Sequence, residues 1–270
     1  MSRNKKVKLA LIGFPLDETS TYMQGPALAP PLIREAFRCD SSNTWSELGI
    51  DLGEKAVFYD AGDVSFKKGS DPADTILKSV SDLLDKGYSP ICLGGDHAIT
   101  FPIIQAFHRK YAQLNILHFD AHPDLYDKMD GKRNLHCSPF ARIMENGLVR
   151  RLVQVGIRGM NGHQREQAEK FGVEVYEMKT WKDDIPFHFK DPLYISFDLD
   201  ALDPAFAPGV SHFEPGGLST RQALDILHQV RAQIVGADIV EYNPKRDTTG
   251  VTAMVCAKLL KEIAACMVLK

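Results

Sequence analysis

The chain has 270 residues, 44% of them hydrophobic and 25% charged, the ordinary balance of a globular protein with material for one large core. Its net charge of −3 excludes the basic footprint of a nucleic-acid binder. No apolar run approaches the roughly 20 residues of a membrane span, and five scattered cysteines without a CxxC argue for a reduced, cytosolic compartment.

The basic start leads into "VKLALIG", an apolar run broken by Lys8 and followed by no small-residue cleavage site. It is too short for a signal peptide and fits a first strand after a solvated tail. The stretch Phe37 to Glu54 is polar and irregular, a surface loop or a short helix. "AVFYDAG" then has the length of a strand. "ADTILKSVSDLLDKG" carries apolar residues at Ile76, Val80, Leu83 and Leu84 and stops at Gly87, the spacing of an amphipathic helix. "SPICLGG" is the next strand, with Cys92 read as a buried, inert thiol. A helix over "ITFPIIQAFHRKYA" and the strands "LNILHFDA", "LVQVGIR" and "PLYISFDLD" follow. The helix "STRQALDILHQVRA" has Ser219 or Thr220 as its N-cap. The strand "IVGADIVEY" and the helix "GVTAMVCAKLLKEIAACMVL" complete the order. The strands are apolar throughout, as strands covered on both faces are. Their alternation with helices predicts an α/β fold with a mainly parallel sheet, in one domain over residues 1–270. No GxGxxG or GxxxxGK[ST] occurs, which argues against nucleotide-binding members of this class.

Ligands of such sheets bind outside the carboxyl ends of strands, and four of these ends are charged. "CLGGDH" brings Asp96 and His97, "FDAHPD" brings Asp120, His122 and Asp124, "FDLDALD" brings Asp198, Asp200 and Asp203, and "DIVEYNP" brings Glu241. Residues i and i+2 of an extended chain point the same way, so Asp120 can converge with His122 and Asp198 with Asp200. Asp124 joins them if the chain curls at Pro123. Clustered carboxylates are costly to bury unless protonated or neutralised by a cation. An oxygen and nitrogen donor set without thiolate suits manganese better than structural zinc. Asp203, before Pro204, reads as a turn former. Asp96 is either a loop hydrogen-bonder or a support for a ligand. His118, in phase with Asp120 but deeper, reads as a core or supporting histidine. His108, His163, His188 and His228 read as surface residues.

"GGDHAIT", "FDAHPDLYD" and "SFDLDALDPAFAPG" resemble the three signature segments of the ureohydrolases, the family of arginase and agmatinase. The likeness extends through "LIGFPLDETSTYMQGPALAPPLIREAF", "NLHCSPFARIMENG" and "GADIVEYNPKRDTTGVTAMVCAKLL", over nearly the whole chain, and is strongest to plant-type arginases. It implies a three-layer αβα sandwich around an eight-stranded sheet, a homo-oligomer (trimer or hexamer), and no nucleic-acid or membrane partner. It also implies two Mn2+ ions per subunit. His97 and Asp124 would bind one ion, His122 and Asp200 the other, and Asp120 and Asp198 would bridge both. His136 would shuttle a proton, Glu241 would pair with the substrate guanidinium, and the leaving amine would be protonated through Asp200 or His136.

The substrate implied is a small guanidino compound, arginine first and agmatine second, with another guanidino or formimino substrate behind them. Arginine's carboxylate and amino group need contacts that agmatine does not. Candidates are Asn134, beside the cations Lys128, Lys132 and Arg133, and Asn161, which stands where animal-type arginases have an acid. His212, in "GVSHFEPGG", is a further substrate-loop candidate. A metal-binding sensor or scaffold would need neither His136 nor Glu241.

Overall fold

The computed structural model describes residues 6–183 and 185–269; the start of the expected basic tail, residues 1–5, lies outside them. Eight strands form one sheet: β1 Val7–Phe14, β2 Ala56–Asp63, β3 Ser89–Gly94, β4 Asn115–Phe119, β5 Arg151–Ile157, β6 Glu174–Glu177, β7 Leu193–Asp198 and β8 Ile234–Val240. Every pairing between them is parallel, in the order β2-β1-β3-β8-β7-β4-β5-β6. The helices are α1 Ala29–Arg38, α2 Leu52–Lys55, α3 Pro72–Asp85, α4 Thr100–Lys110, α5 Pro139–Glu145, α6 Gly162–Phe171, α7 Thr220–Gln229 and α8 Val251–Leu269.

The pleat sorts the strand residues into two cores. Leu9 and Leu11 of β1, Leu117 and Phe119 of β4, and Ile195 and Phe197 of β7 pack with residues of α1, α7 and α8. Ala10 and Ile12, Ile116, and Tyr194 point the other way, into the layer that includes α3 and α4. The result is the three-layer αβα sandwich. Because both faces are covered, the central strands read as continuous apolar runs rather than as alternations.

The edges behave differently. On β2, Val57 and Tyr59 are each 45% exposed. The other edge, β6, has the sequence "EVYE" and no fully buried residue. No apolar run announces it, and the strand was not expected from the sequence pattern. The same holds for α6, which buries only Gln164, Gln167 and Ala168.

Local chemistry sets the boundaries. Asp71 caps α3 by accepting a hydrogen bond from Ala73 N, and Gly87, with φ +78°, turns the chain after it. Ser219, not Thr220, caps α7, in a capping box with Gln222. The irregular segment after α1 is pinned from below. The backbone N–H of Glu47 donates to Glu262 Oε1 on α8 at 3.0 Å, and Glu262 is fully buried. Of the eight strands, β3, β8, β7 and β4 are consecutive at the middle of the sheet. Parallel pairing therefore brings their carboxyl ends to one edge.

Candidate metal centre

Each of these four ends turns sharply and directs a carboxylate or imidazole inward. After β3, a Cβ on Gly95 would stand 1.8 Å from the Leu16 carbonyl oxygen, so glycine alone lets the two turns pass. Asp96 then caps a short 3-10 turn and accepts from Thr19 N at 3.1 Å and Thr19 Oγ1 at 2.7 Å. It is a loop-holding residue, buried, and its carboxyl is pushed up to about 7 by burial and by the charge of Glu241. Asp203 is a turn former, accepting from Ala205 N at 2.9 Å and Gly216 N at 2.6 Å.

The next residue, His97, is wholly buried. Its Nδ1 lies 3.1 Å from Asp124 Oδ2 and 3.3 Å from both Asp120 Oδ2 and Asp198 Oδ2, yet no hydrogen bond of good geometry reaches it. Its Nε2 is held by Ser196 Oγ at 3.0 Å, which in turn donates to the buried Asp238 at 2.7 Å. On the other side of Asp120, His122 Nδ1 lies 3.5 Å from Asp120 Oδ1 and 3.1 Å from Asp200 Oδ2.

The carboxylates are aimed by the backbone. Asp120 Oδ1 accepts from His122 N at 2.6 Å, Asp198 Oδ1 from Asp200 N at 2.8 Å, and Asp200 Oδ1 from Ala121 N at 3.0 Å. One oxygen of each is thereby fixed, and the other faces the imidazoles. Asp124 reaches the group because its own φ is +50°, the curl expected after Pro123.

Two imidazoles and four carboxylates thus share a small buried volume. Burial, with the neighbouring carboxylates, raises Asp124 to about 6 and Asp198 well above its ordinary value. Burial alone would lower His97 and His122, but the surrounding carboxylates hold both above theirs. Both displacements express one field, strongly negative and demanding a cation.

Beside the cluster is a pocket of about 180 Å³, lined by His122, Asp124, Asp198, Asp200, Thr21, Tyr126, Met129, His136, His212 and Glu241 among others. Glu241 sits at φ +62°, a left-handed conformation that costs a non-glycine residue on the order of 1–3 kcal/mol. Its N–H donates to Gly95 O at 2.9 Å, and its Oε1 accepts from His97 N at 2.9 Å. Burial opposes its charge, but the His136 imidazole 3.5 Å away holds its carboxyl below the ordinary value. His136 Nε2 lies 3.2 Å from Thr21 N and 2.9 Å from Thr21 Oγ1, and Nδ1 faces Glu241; burial lowers the ring, but Glu241 outweighs it and raises it to about 9.

The substrate-tail candidates lie at different distances from this pocket. Asn134 is exposed and lines a separate small cavity with Ala98 and Phe101, not this pocket. Asn161 is committed to α6: its side chain accepts from Gln164 N at 3.0 Å, and its Nδ2 donates to Tyr126 Oη at 2.7 Å. It bears on the pocket only through Tyr126. Arg133 is taken up by Glu145 at 2.8 Å, and Lys128 and Lys132 are exposed. His212 does reach the pocket, stacked on His136 with ring centroids 5.7 Å apart. His163 is exposed, as expected, and also stacks on Tyr126 and accepts from Asp127 N at 3.2 Å. Thr21, Tyr126 and Met129 were not singled out from the sequence, since none carries a charge.

A parallel α/β sheet whose central strand ends hold a buried His/Asp cluster beside a small polar pocket is the architecture of a metal-dependent hydrolase. The profile of the arginase family matches residues 7–266. Arginase 1, mitochondrial, of Arabidopsis thaliana is 48% identical over 277 residues, covering 96% of this chain and 81% of that protein. The solved arginase from Medicago truncatula superposes with a TM-score of 0.93 at 47% identity, over 97% of this chain and 87% of that one. A putative agmatinase from Clostridium difficile gives 0.86 at 27% identity, over 98% of each. The chain belongs to the arginase family and is a ureohydrolase.

The cytosolic expectation is corrected by the same relatives. The arginases of Arabidopsis thaliana, Oryza sativa and Medicago truncatula are named mitochondrial, which points away from the cytoplasm. The five cysteines are free, but free thiols report a reducing environment and do not distinguish one reducing compartment from another.

Proposed function

We propose that the protein hydrolyses L-arginine to L-ornithine and urea with two manganese ions. The observation that carries this reading is the orphaned, fully buried Nδ1 of His97, ringed by three carboxylate oxygens at 3.1–3.3 Å. Donors each about 2.1 Å from a common ion, at right angles, stand about 3 Å apart. His97 and Asp124 would hold one ion, His122 and Asp200 the other, and Asp120 and Asp198 both. The donor set of oxygen and imidazole nitrogen favours manganese. When bound, the ions supply a water acidic enough to be nucleophilic at neutral pH.

The chain's own residues do the rest. Glu241 receives the guanidinium through charge-assisted hydrogen bonds and is pre-aimed by the His97 N–H. His136 and Asp200, which both line the pocket, would deliver a proton to the leaving amine. Thr21 holds the His136 Nε2, and His212 stacks on its ring.

Agmatine is the second reading, favoured by one observation: among the described residues, no lysine or arginine lines the pocket to meet an α-carboxylate. Urea release with Mn2+, comparing arginine, agmatine and simple guanidines at equal concentration, decides between them. Arginine is expected to turn over fastest, and faster release from agmatine would replace it as the substrate. The trimeric or hexameric assembly is tested by light scattering of the purified protein.

A further inference from the structure

Beneath the cluster lie two polar side chains that no step above uses, His118 on β4 and Gln154 on β5. They are paired in register, and both are 0% exposed. Polar groups at such depth are costly unless hydrogen-bonded, and their bonds here run in one direction. Gln154 Nε2 is 2.7 Å from the Pro123 carbonyl oxygen and 3.0 Å from His118 Nδ1. A carbonyl oxygen only accepts, so the Pro123 contact fixes which end of the amide is the NH2 group. Its second hydrogen then meets His118 Nδ1, which must be the bare nitrogen. A neutral imidazole carries its one hydrogen on the other nitrogen, and His118 Nε2 lies 2.8 Å from Asp120 Oδ2. Phe140 stacks on the ring at 3.9 Å and fixes its plane.

His118 is also near enough to His97 and Asp120 to be considered a metal ligand itself. A ligand must offer a lone pair, and both of its nitrogens are engaged: Nδ1 accepts from Gln154, and Nε2 donates to Asp120.

We propose that Gln154 and His118 are a positioning pair for the metal centre. Gln154 sets the tautomer of His118, and His118 aims Asp120 Oδ2 at the ions. The second hydrogen of the same amide holds the Pro123 carbonyl, the start of the left-handed turn that delivers Asp124. One carboxamide thus orients two ligands without touching either ion. The inference rests on the two-ion reading of the site.

The test is calorimetric titration of Mn2+ into the metal-free protein, with melting temperatures of the metal-free forms alongside. His118→Phe keeps the stacking and removes the N–H, and Gln154→Met keeps the volume and removes both hydrogens. Each is expected to weaken Mn2+ binding roughly 10- to 100-fold, the range for losing an outer hydrogen-bonding partner of a ligand. His118→Gln places an amide N–H at the reach of the imidazole Nε2 and is expected to recover most of that loss. Excess Mn2+ is expected to restore turnover in His118→Phe and Gln154→Met, because the site is loosened and not deleted. Should His118→Phe fail to fold, Gln154→Met and His118→Gln carry the comparison. Mn2+ affinity within about twofold of wild type in both His118→Phe and Gln154→Met would overturn the proposal, as would an Nδ1–H tautomer of His118 in nitrogen NMR. Asp120→Ala is the control: if it still binds two ions, the two-ion reading fails, whatever the positioning variants do.

Discussion

Glu241→Gln separates holding the substrate from holding the metals. The amide is the size of the carboxylate and retains an oxygen for the His97 N–H, now 2.9 Å from Oε1. The His97 turn should therefore survive, and with it the ligand set. What is lost is the charge that meets the guanidinium. A hydrogen bond to a charged group is worth about 1.5–3 kcal/mol against about 0.5–1.5 for a neutral one. For a carboxylate receiving two guanidinium hydrogens, the difference is about 2–3 kcal/mol, or roughly 30- to 150-fold in kcat/KM. The loss falls mainly on KM if the contact is equal in ground and transition states, and on kcat if it strengthens along the reaction. The assay is urea release at saturating Mn2+ with metal content measured on the same sample. Turnover within threefold of wild type, with both ions bound, refutes the role given to Glu241. Loss of the ions shows instead that Glu241 acts through His97.

Three further outcomes are expected. Chelation should lower the melting temperature, and Mn2+ at about 100 times its dissociation constant should restore about 2.7 kcal/mol per site, or roughly 5–10 °C each by calorimetry. Arg158 donates to the carbonyl oxygens of Gly156, Asp200 and Glu214 at 2.9, 2.7 and 2.8 Å, tying the Asp200 turn to the His212 loop. Arg158→Met strands those buried acceptors, with an expected cost of about 3 kcal/mol, a melting decrease of about 6–12 °C, and a raised KM. Glu262 accepts from Lys258 Nζ at 2.7 Å and from Glu47 N at 3.0 Å, and His228 Nε2 lies 3.0 Å away. Burial opposes its charge, but these partners hold its carboxyl below the ordinary 4.5. A lowered folded value means stability that is present above pH 4.5 and lost as pH falls through the folded value. Glu262→Gln should melt lower at pH 7 and lose less on acidification below pH 4.5 than wild type does.

The pairs at the strand ends were legible because they depend on local geometry alone. Asp120 with His122, and Asp198 with Asp200, follow from the two-residue repeat of an extended chain. That His97 would stand against Asp198 came only from the family resemblance and not from local geometry, since it depends on β8 and β7 lying between β3 and β4, a nonlocal pairing that no run of residues encodes. The capping role of Asn161 was hidden for a specific reason. Helix α6 has little apolar face, so it went unrecognised, and the demand of its first turn for a capping oxygen was invisible. Once α6 is present, Asn161 is its cap, and a role at the substrate would have to compete with Gln164 N. Asn134, named for its place in "DLYDKMDGKRNLH", lines the cavity with Ala98 and Phe101, because which way a loop residue faces depends on how the loop turns and not on its segment.

The surplus of buried carboxylate is a structural cost that the fold accepts in a particular way. The backbone donors of His122, Asp200 and Ala121 each take one oxygen of an aspartate, and together they could have neutralised little of its charge. Their effect is orientational: they stop each carboxylate from rotating both oxygens toward peptide N–H groups or solvent. Had the cluster evolved to be stable without cations, protonation or an arginine would be the cheaper remedy. Arg158, beside the Asp200 turn, instead directs its guanidinium to carbonyl oxygens. The negative field is therefore left open on the pocket side, where a divalent pair can occupy it and a guanidinium can follow.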